Sequence, residues 1–244
     1  MKMSPQGVVE LCASEGIVIK RYLDSVNVWT IGVGHTRNAG EPNPENYKKE
    51  MPVEECMDLL MRDLVKYENG VNAVIGDREV SQHAFDGMVH FHYNTGGIRK
   101  ASFVPYLLDG NMEEAEKRIL FWKKPASILT RRKREVALMI NGVYSSDGIV
   151  PVYKTNNKNK PVYSHNFDAK GWVESKMPVE PKEPPDLPVE KPNELVEELE
   201  IFEEAALEDE MPPVQEPEIN SKWYLAFYAG GAIAVIIAYI MFLA

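Results

Sequence analysis

"SEGIVIKRYLDSVNVWTIGVGHT", residues 14–36, decides how the rest of the chain is read. It carries Glu15, then Asp24, then Thr30. Glu15 closes a helix-like stretch at residues 4–15, "SPQGVVELCASE". Ser4 is placed there to cap the first turn, Pro5 to occupy the first helical position, and Gly16 to end the helix. Beyond Gly16 the pattern changes, and residues 17–36 read as two or three short strands joined by the polar turn "DSVN". One acid therefore precedes the strands, a second sits at their turn, and a hydroxyl lies on the returning strand, where it would face Asp24.

Hydrolysis of a glycosidic bond usually needs two carboxyl groups, one protonated to serve the leaving oxygen and one ionised to help water reach the anomeric carbon. The two need different surroundings to hold different protonation states at one pH. Glu15 borders apolar Ile17 and Val18, so partial burial would favour its protonated form, whereas Asp24 in a polar turn would stay ionised. Taken alone, this spacing reads first as an ordinary surface, because Asp opens turns for purely local reasons.

The same stretch resembles the active-site segment of the phage-type lysozymes, the endolysins of glycoside hydrolase family 24. The matching residues are Glu15, Gly16, Tyr22, Asp24, Trp29, Thr30, Ile31, Gly32, Gly34, His35 and Thr36. "AFDGMVHFHYNTGG", residues 84–97, resembles the family's helix ending in Phe-Asn-x-Gly, with Tyr93 in place of the phenylalanine. "ASFVPYLLDGNMEEAEKRILFW" and "LTRRKREVALMINGVY" resemble later family segments, so the likeness runs from about residue 5 to 144.

The resemblance implies an α+β fold with a small β-containing lobe, a helical lobe and a cleft between them. It implies that Glu15 is the general acid, that Asp24 and Thr30 position the attacking water, and that the anomeric configuration inverts. The two carboxyl groups would then stand about 6.5–9.5 Å apart rather than about 5–5.5 Å. The implied substrate is the glycan strand of peptidoglycan, cut between N-acetylmuramic acid and N-acetylglucosamine, with no metal or organic cofactor. The family's Gly-Leu before the double arginine is here "PASILT", which leaves open whether Arg131 or Arg132 reaches Glu15.

The remaining pattern divides the chain into three. Residues 1–173 form the catalytic domain. A long helix runs from Pro52, with Val53, Cys56, Leu60, Leu64, Tyr67 and Val71 on one face, after a loop over 38–50. Helices follow at 81–93, 102–108, 111–123 and 130–141, and a β-hairpin extension at 147–164. Residues 174–221 are an acidic, proline-rich linker with 16 acids against three lysines, and nine prolines lie between Met177 and Pro217. Without this linker the chain is near neutral, so the net charge of -10 says nothing about the partners of the globular part. Within the linker, "NELVEELEIFEEAALEDE" reads either as an amphipathic helix or as disordered chain.

Residues 222–244 read as a C-terminal transmembrane anchor. After Lys222 come 22 residues without a charge, about 33 Å as a helix, which suits a hydrocarbon core of about 30 Å. Trp223, Tyr224 and Tyr228 suit one interface, and Gly230, Ala234 and Ala238 would allow anchors to pair. The N-terminal residues hold no apolar stretch of signal-peptide length. The expectation is a single-pass protein of a host inner membrane or a virion membrane, tethered near the wall it cuts, with its orientation open. Two other functional classes stand beside this one: a wall-binding or structural protein without catalysis, and a tail-anchored adaptor acting through its acidic linker.

Other candidates carry less. Cys12 and Cys56 read as buried free thiols. His90 and His92, two apart on a helix, point away from each other and suit no shared metal. His35 reads as structural. "RRKR" at 131–134 reads as a solvated helix face, and no nucleic-acid partner is expected.

Overall fold

The computed structural model describes residues 1–177. Most of the acidic linker and the whole expected anchor at 222–244 lie outside the described residues. Among the described residues no helix is long and apolar enough to cross a membrane.

The chain opens with helix α1 (Pro5–Glu15), capped as its sequence requires. Ser4 Oγ accepts from Gly7 N at 3.0 Å and itself donates to Asp86, so the cap also ties α1 to a later helix. Such a cap stabilises by about 1 kcal/mol. Gly16 ends the helix at φ 70°, ψ 169°, a conformation essentially reserved for glycine, and turns the chain at once into a strand.

Strands β1 (Ile17–Leu23), β2 (Trp29–Gly32) and β3 (His35–Thr36) follow as antiparallel neighbours. Helix α2 (Val53–Ile75) buries Cys56, Leu60, Leu64 and Val71, the face set by its apolar spacing. Helices α3 (Gln82–Thr95), α4 (Phe103–Leu108), α5 (Met112–Leu120) and α6 (Leu129–Asn141) complete the helical part. Helix α5 stops at Leu120, three residues short of the expectation. Gly87 lets α3 and α6 meet closely, since a Cβ there would lie 2.3 Å from Met139 Cγ.

The segment after α6 departs most from the sequence reading. Strands β4 (Ile149–Thr155) and β5 (Pro161–Asp168) form the expected hairpin, but it is no appendage. The sheet order is β3-β2-β1-β4-β5, with β4 parallel to β1 through Ile17↔Val152 and Val18↔Tyr153. The sheet is therefore mixed, and the hairpin supplies two of its five strands. A last helix, α7 (Ala169–Lys176), packs Val173 into the core, so the boundary drawn after residue 173 falls inside a helix. The hairpin's apolar run showed the strands, whereas its partner across the sheet is a long-range choice that no local pattern encodes.

The two faces of the sheet differ. Ile17, Ile19, Ile31, Val150 and Val152 join the main core with residues of α1, α2 and α3. Val18 and Tyr22 form a separate small cluster on which Tyr153 packs. Both thiols are free and buried, as their pattern indicated, and burial pushes the Cys56 thiol up to about 12.

Candidate active site

Glu15 is the last residue of α1 and only 1% exposed. A buried carboxylate needs a partner. Arg131 supplies it from α6, with Nη2 donating to Glu15 Oε1 at 2.5 Å across 116 residues of sequence. This answers which arginine faces Glu15. Arg131 Nε also donates to Glu135 Oε1 at 3.1 Å.

Arg132 turns the other way. It bonds Glu135 Oε2, Asn94 Oδ1 and the Trp122 carbonyl, and lies 4.9 Å from the Phe91 ring centroid. Arg131 thus bridges Glu15 and Glu135, and Glu135 is shared by both arginines. Burial alone would raise the Glu135 carboxyl; Arg132, His90 and Arg131 outweigh it and hold it down at about 2. For Arg131, burial works against the charge, but Glu15 and Glu135 hold the guanidinium above its ordinary value. The reading of "RRKR" as a solvated face is corrected here. Arg131 and Arg132 are buried, because α6 turns them toward the carboxylates, while Lys133 and Arg134 are exposed.

Asp24 is held by different means. Its Oδ1 accepts from Val26 N and Val28 N, both at 2.8 Å, closing a turn in which Asn27 adopts φ 62°. Among the described residues Oδ2 takes no hydrogen bond, so that oxygen is available to a water. Asp24 is 3% exposed, and burial raises its carboxyl above the ordinary value despite those two amides and the charge of Lys160. The turn is polar, but its acid points inward and bears a desolvation cost.

Thr30 sits opposite Tyr22 across the β1–β2 pair and is fully buried. Its hydroxyl donates to Val28 O at 3.2 Å, which leaves its lone pairs free to accept. Tyr22 is the residue whose importance the spacing argument missed. Its hydroxyl is buried and has no hydrogen-bond partner among the described residues. Burial first, then the charges of Glu15 and Asp24, push the phenol well above its ordinary value. The signal was its place two residues before Asp24, inside the matching motif.

The surrounding residues lock these elements. His35 joins Asp63 Oδ2 of α2 at 2.7 Å through Nδ1 and the Pro42 carbonyl at 3.0 Å through Nε2, a structural part as expected. Tyr93 uses the hydroxyl that phenylalanine lacks to bond the Val33 carbonyl, pinning α3 to the turn after β2. His90 faces Glu135 at 3.7 Å, whereas His92 packs edge-on against Tyr67, so the two histidines serve different neighbours. No cluster of metal-ligating side chains occurs among the described residues.

The sequence profile described as Phage lysozyme matches residues 12–135. The endolysin of Salmonella phage P22 is 30% identical over 149 residues, spanning 58% of this chain and 99% of that protein. The endolysin of Bacillus phage PZA is 28% identical over 185 residues, spanning 68% of this chain and 69% of that one. Among solved structures, an endolysin from Escherichia coli O157:H7 phage FAHEc1 superposes with a TM-score of 0.55 at 24% identity, over 60% of this chain and 98% of that chain. A P22 lysozyme mutant superposes with a TM-score of 0.50 at 29% identity, over 57% and 99%.

Proposed function

Because the chain belongs to the phage lysozyme family and is a lysozyme-type hydrolase, we propose that it cuts peptidoglycan glycan strands between N-acetylmuramic acid and N-acetylglucosamine, with Glu15, Asp24 and Thr30 as its catalytic residues. The observation that carries this reading is the contrast between the two carboxyl groups around Tyr22. Glu15 is oriented by a buried guanidinium, and Asp24 by two backbone amides with one oxygen free.

In the proposed reaction Glu15 gives its proton to the leaving glycosidic oxygen as the bond to the anomeric carbon breaks. A water donates one hydrogen bond to Asp24 Oδ2 and another to Thr30 Oγ1, directing a lone pair at that carbon. The new carbon–oxygen bond forms as Asp24 takes the water's proton, and exchange with solvent returns both carboxyl groups to their starting states. Attack by water on the face opposite the leaving group inverts the configuration. Arg131 fixes the orientation of Glu15, and Glu135 takes part of its charge.

The enzyme is tethered in this reading. The uncharged 22-residue run that ends the sequence anchors it in a host inner membrane or a virion membrane, and the acidic, proline-rich segment spaces the domain from the bilayer. Protease accessibility of that segment in intact cells tests the tether and reports which side the domain occupies.

The activity is tested with the full chain on purified wall. The parent releases new reducing ends, and Glu15→Gln lowers the rate by roughly 10²–10⁴-fold, the range for loss of a general acid, while wall binding persists. A Glu15→Gln chain that cuts as fast as the parent removes Glu15 from the mechanism.

A further inference from the structure

The hairpin β4–β5 lies outside the matched residues 12–135, yet it is built onto the strand that carries Tyr22 and leads to Asp24. Directly paired residues of neighbouring strands present their side chains to one face of a sheet. Val18 pairs with Tyr153, and Tyr153 pairs with Tyr163. Val18, Tyr22 and Tyr153 are in contact, and Tyr22 pairs with Thr30. One face therefore carries a row from Thr30 through Tyr22, Val18 and Tyr153 to Tyr163, buried at its first three members and open to solvent only at the two tyrosines of the hairpin.

The row begins at the candidate catalytic residues. A Cβ on Gly16, next to Glu15, would lie 3.1 Å from the Tyr153 ring. Tyr153 is half-buried, and Tyr163 meets it edge-on with ring centroids 6.4 Å apart. Tyr163 is 57% exposed on the edge strand, two strand spacings or roughly 10 Å from β1.

The far end of the hairpin is tied to the same site. Leu23 N donates to Asn159 O at 3.1 Å, and Lys160 Nζ donates to Leu23 O at 3.3 Å, beside Asp24. The hairpin is thus fixed to β1 at two positions of β4 and again at its turn.

We propose that Tyr163, backed by Tyr153, forms a saccharide subsite that holds an N-acetylated pyranose ring of the glycan strand beyond the bond that is cut. The inference rests on the muramidase reading above and extends its substrate face past the matched family segment. A tyrosine ring offers an apolar face to the C–H face of a pyranose and a hydroxyl to its polar rim. The occupant is the glycan rather than another macromolecule because the hairpin that carries Tyr163 is tied at its turn to Leu23, beside the Asp24 proposed to act on that strand.

The test uses the full chain and peptide-free glycan strands fractionated by length. Tyr163→Ala raises KM on long strands roughly tenfold, the scale of one lost aromatic contact, with kcat unchanged. On the shortest strands the parent cuts, the same variant matches the parent, and Tyr163→Trp keeps the parent KM at all lengths. The subsite is overturned if Tyr163→Ala equals the parent on long strands, or loses equally at every length. Tyr153→Ala is read alongside it with its thermal midpoint; if that variant unfolds, the exposed Tyr163 series decides alone. A parent chain that cuts no strand of any length overturns the muramidase reading instead. In that event the affinity of the parent for long strands, weakened by Tyr163→Ala, still supports the subsite, and an unweakened affinity rejects it.

Discussion

The helical side and the sheet side of the site hold their carboxyl groups in opposite ways. Glu15 is fixed by charge: Arg131 reaches it from a helix that begins more than a hundred residues later, and Arg131 is itself steadied by Glu135. Asp24 is fixed by its own turn, through the amides of residues two and four positions on. A buried charge network depends on every member, because removing one leaves its partner uncompensated in low dielectric. A backbone turn depends only on an acceptor at the right place, which asparagine also provides. The two sides should therefore answer mutation differently, in stability as well as in rate.

The largest effect is expected on the helical side. Glu135→Ala leaves Arg131 and Arg132 without their shared carboxylate and should cost about 3–5 kcal/mol in unfolding free energy. Denaturant titration checks it; a loss under 1 kcal/mol would mean that the network does not hold the fold. Asp24→Asn should separate stability from activity. It keeps the oxygen that accepts from Val26 and Val28, removes a charge that burial penalises, and removes the proposed base. Hydrolysis should fall roughly 10²–10⁴-fold with the thermal midpoint equal to or above the parent's. A lowered midpoint would show that the ionised carboxylate itself stabilises the turn.

The pH dependences should also differ in sign. Glu135 ordinarily titrates at 4.5 and is held at about 2 in the fold. Its contribution to stability is complete above about pH 4.5 and is lost as pH falls through about 2. Asp24 is shifted upward, so its share of stability is present below 3.8 and is lost as pH rises through its folded value. The acidic limb of the activity profile should accordingly lie above 3.8, the ordinary value for aspartate.

The smallest effect sharpens the comparison on the sheet side. Lys160→Met removes a charge that favours ionised Asp24, and should move that limb upward by a fraction of a pH unit, since the lysine is exposed and screened. A limb that stays in place or moves downward would show that the hairpin turn has no electrostatic hold on Asp24.

This contrast also explains what could be read from the chain before its structure. The cap at Ser4, the break at Gly16, the turn at Asp24 and the buried stripe of α2 are all decided within a few residues, so spacing exposes them. The two arginines of α6 are adjacent and chemically alike in sequence. Only the packing of α6 against α3 and Glu15 sends one to the site and the other to Asn94. The hairpin's strands were visible and their place in the sheet was not, because β1–β4 pairing joins segments about 135 residues apart. Tyr22 stood inside the matching motif, two residues before Asp24, but the argument from paired acids gave a phenol no part and passed over it.

The central claim is that Glu15 donates the proton while Asp24, with Thr30, serves a water and does not itself attack the sugar. The most direct measurement is the anomeric configuration of the reducing end as it is first released from peptide-free glycan strands, followed by proton NMR before mutarotation. This account predicts that the first product carries the configuration opposite to that of the bond cut. A first product that retains it would make Asp24 a nucleophile, and would contradict the account.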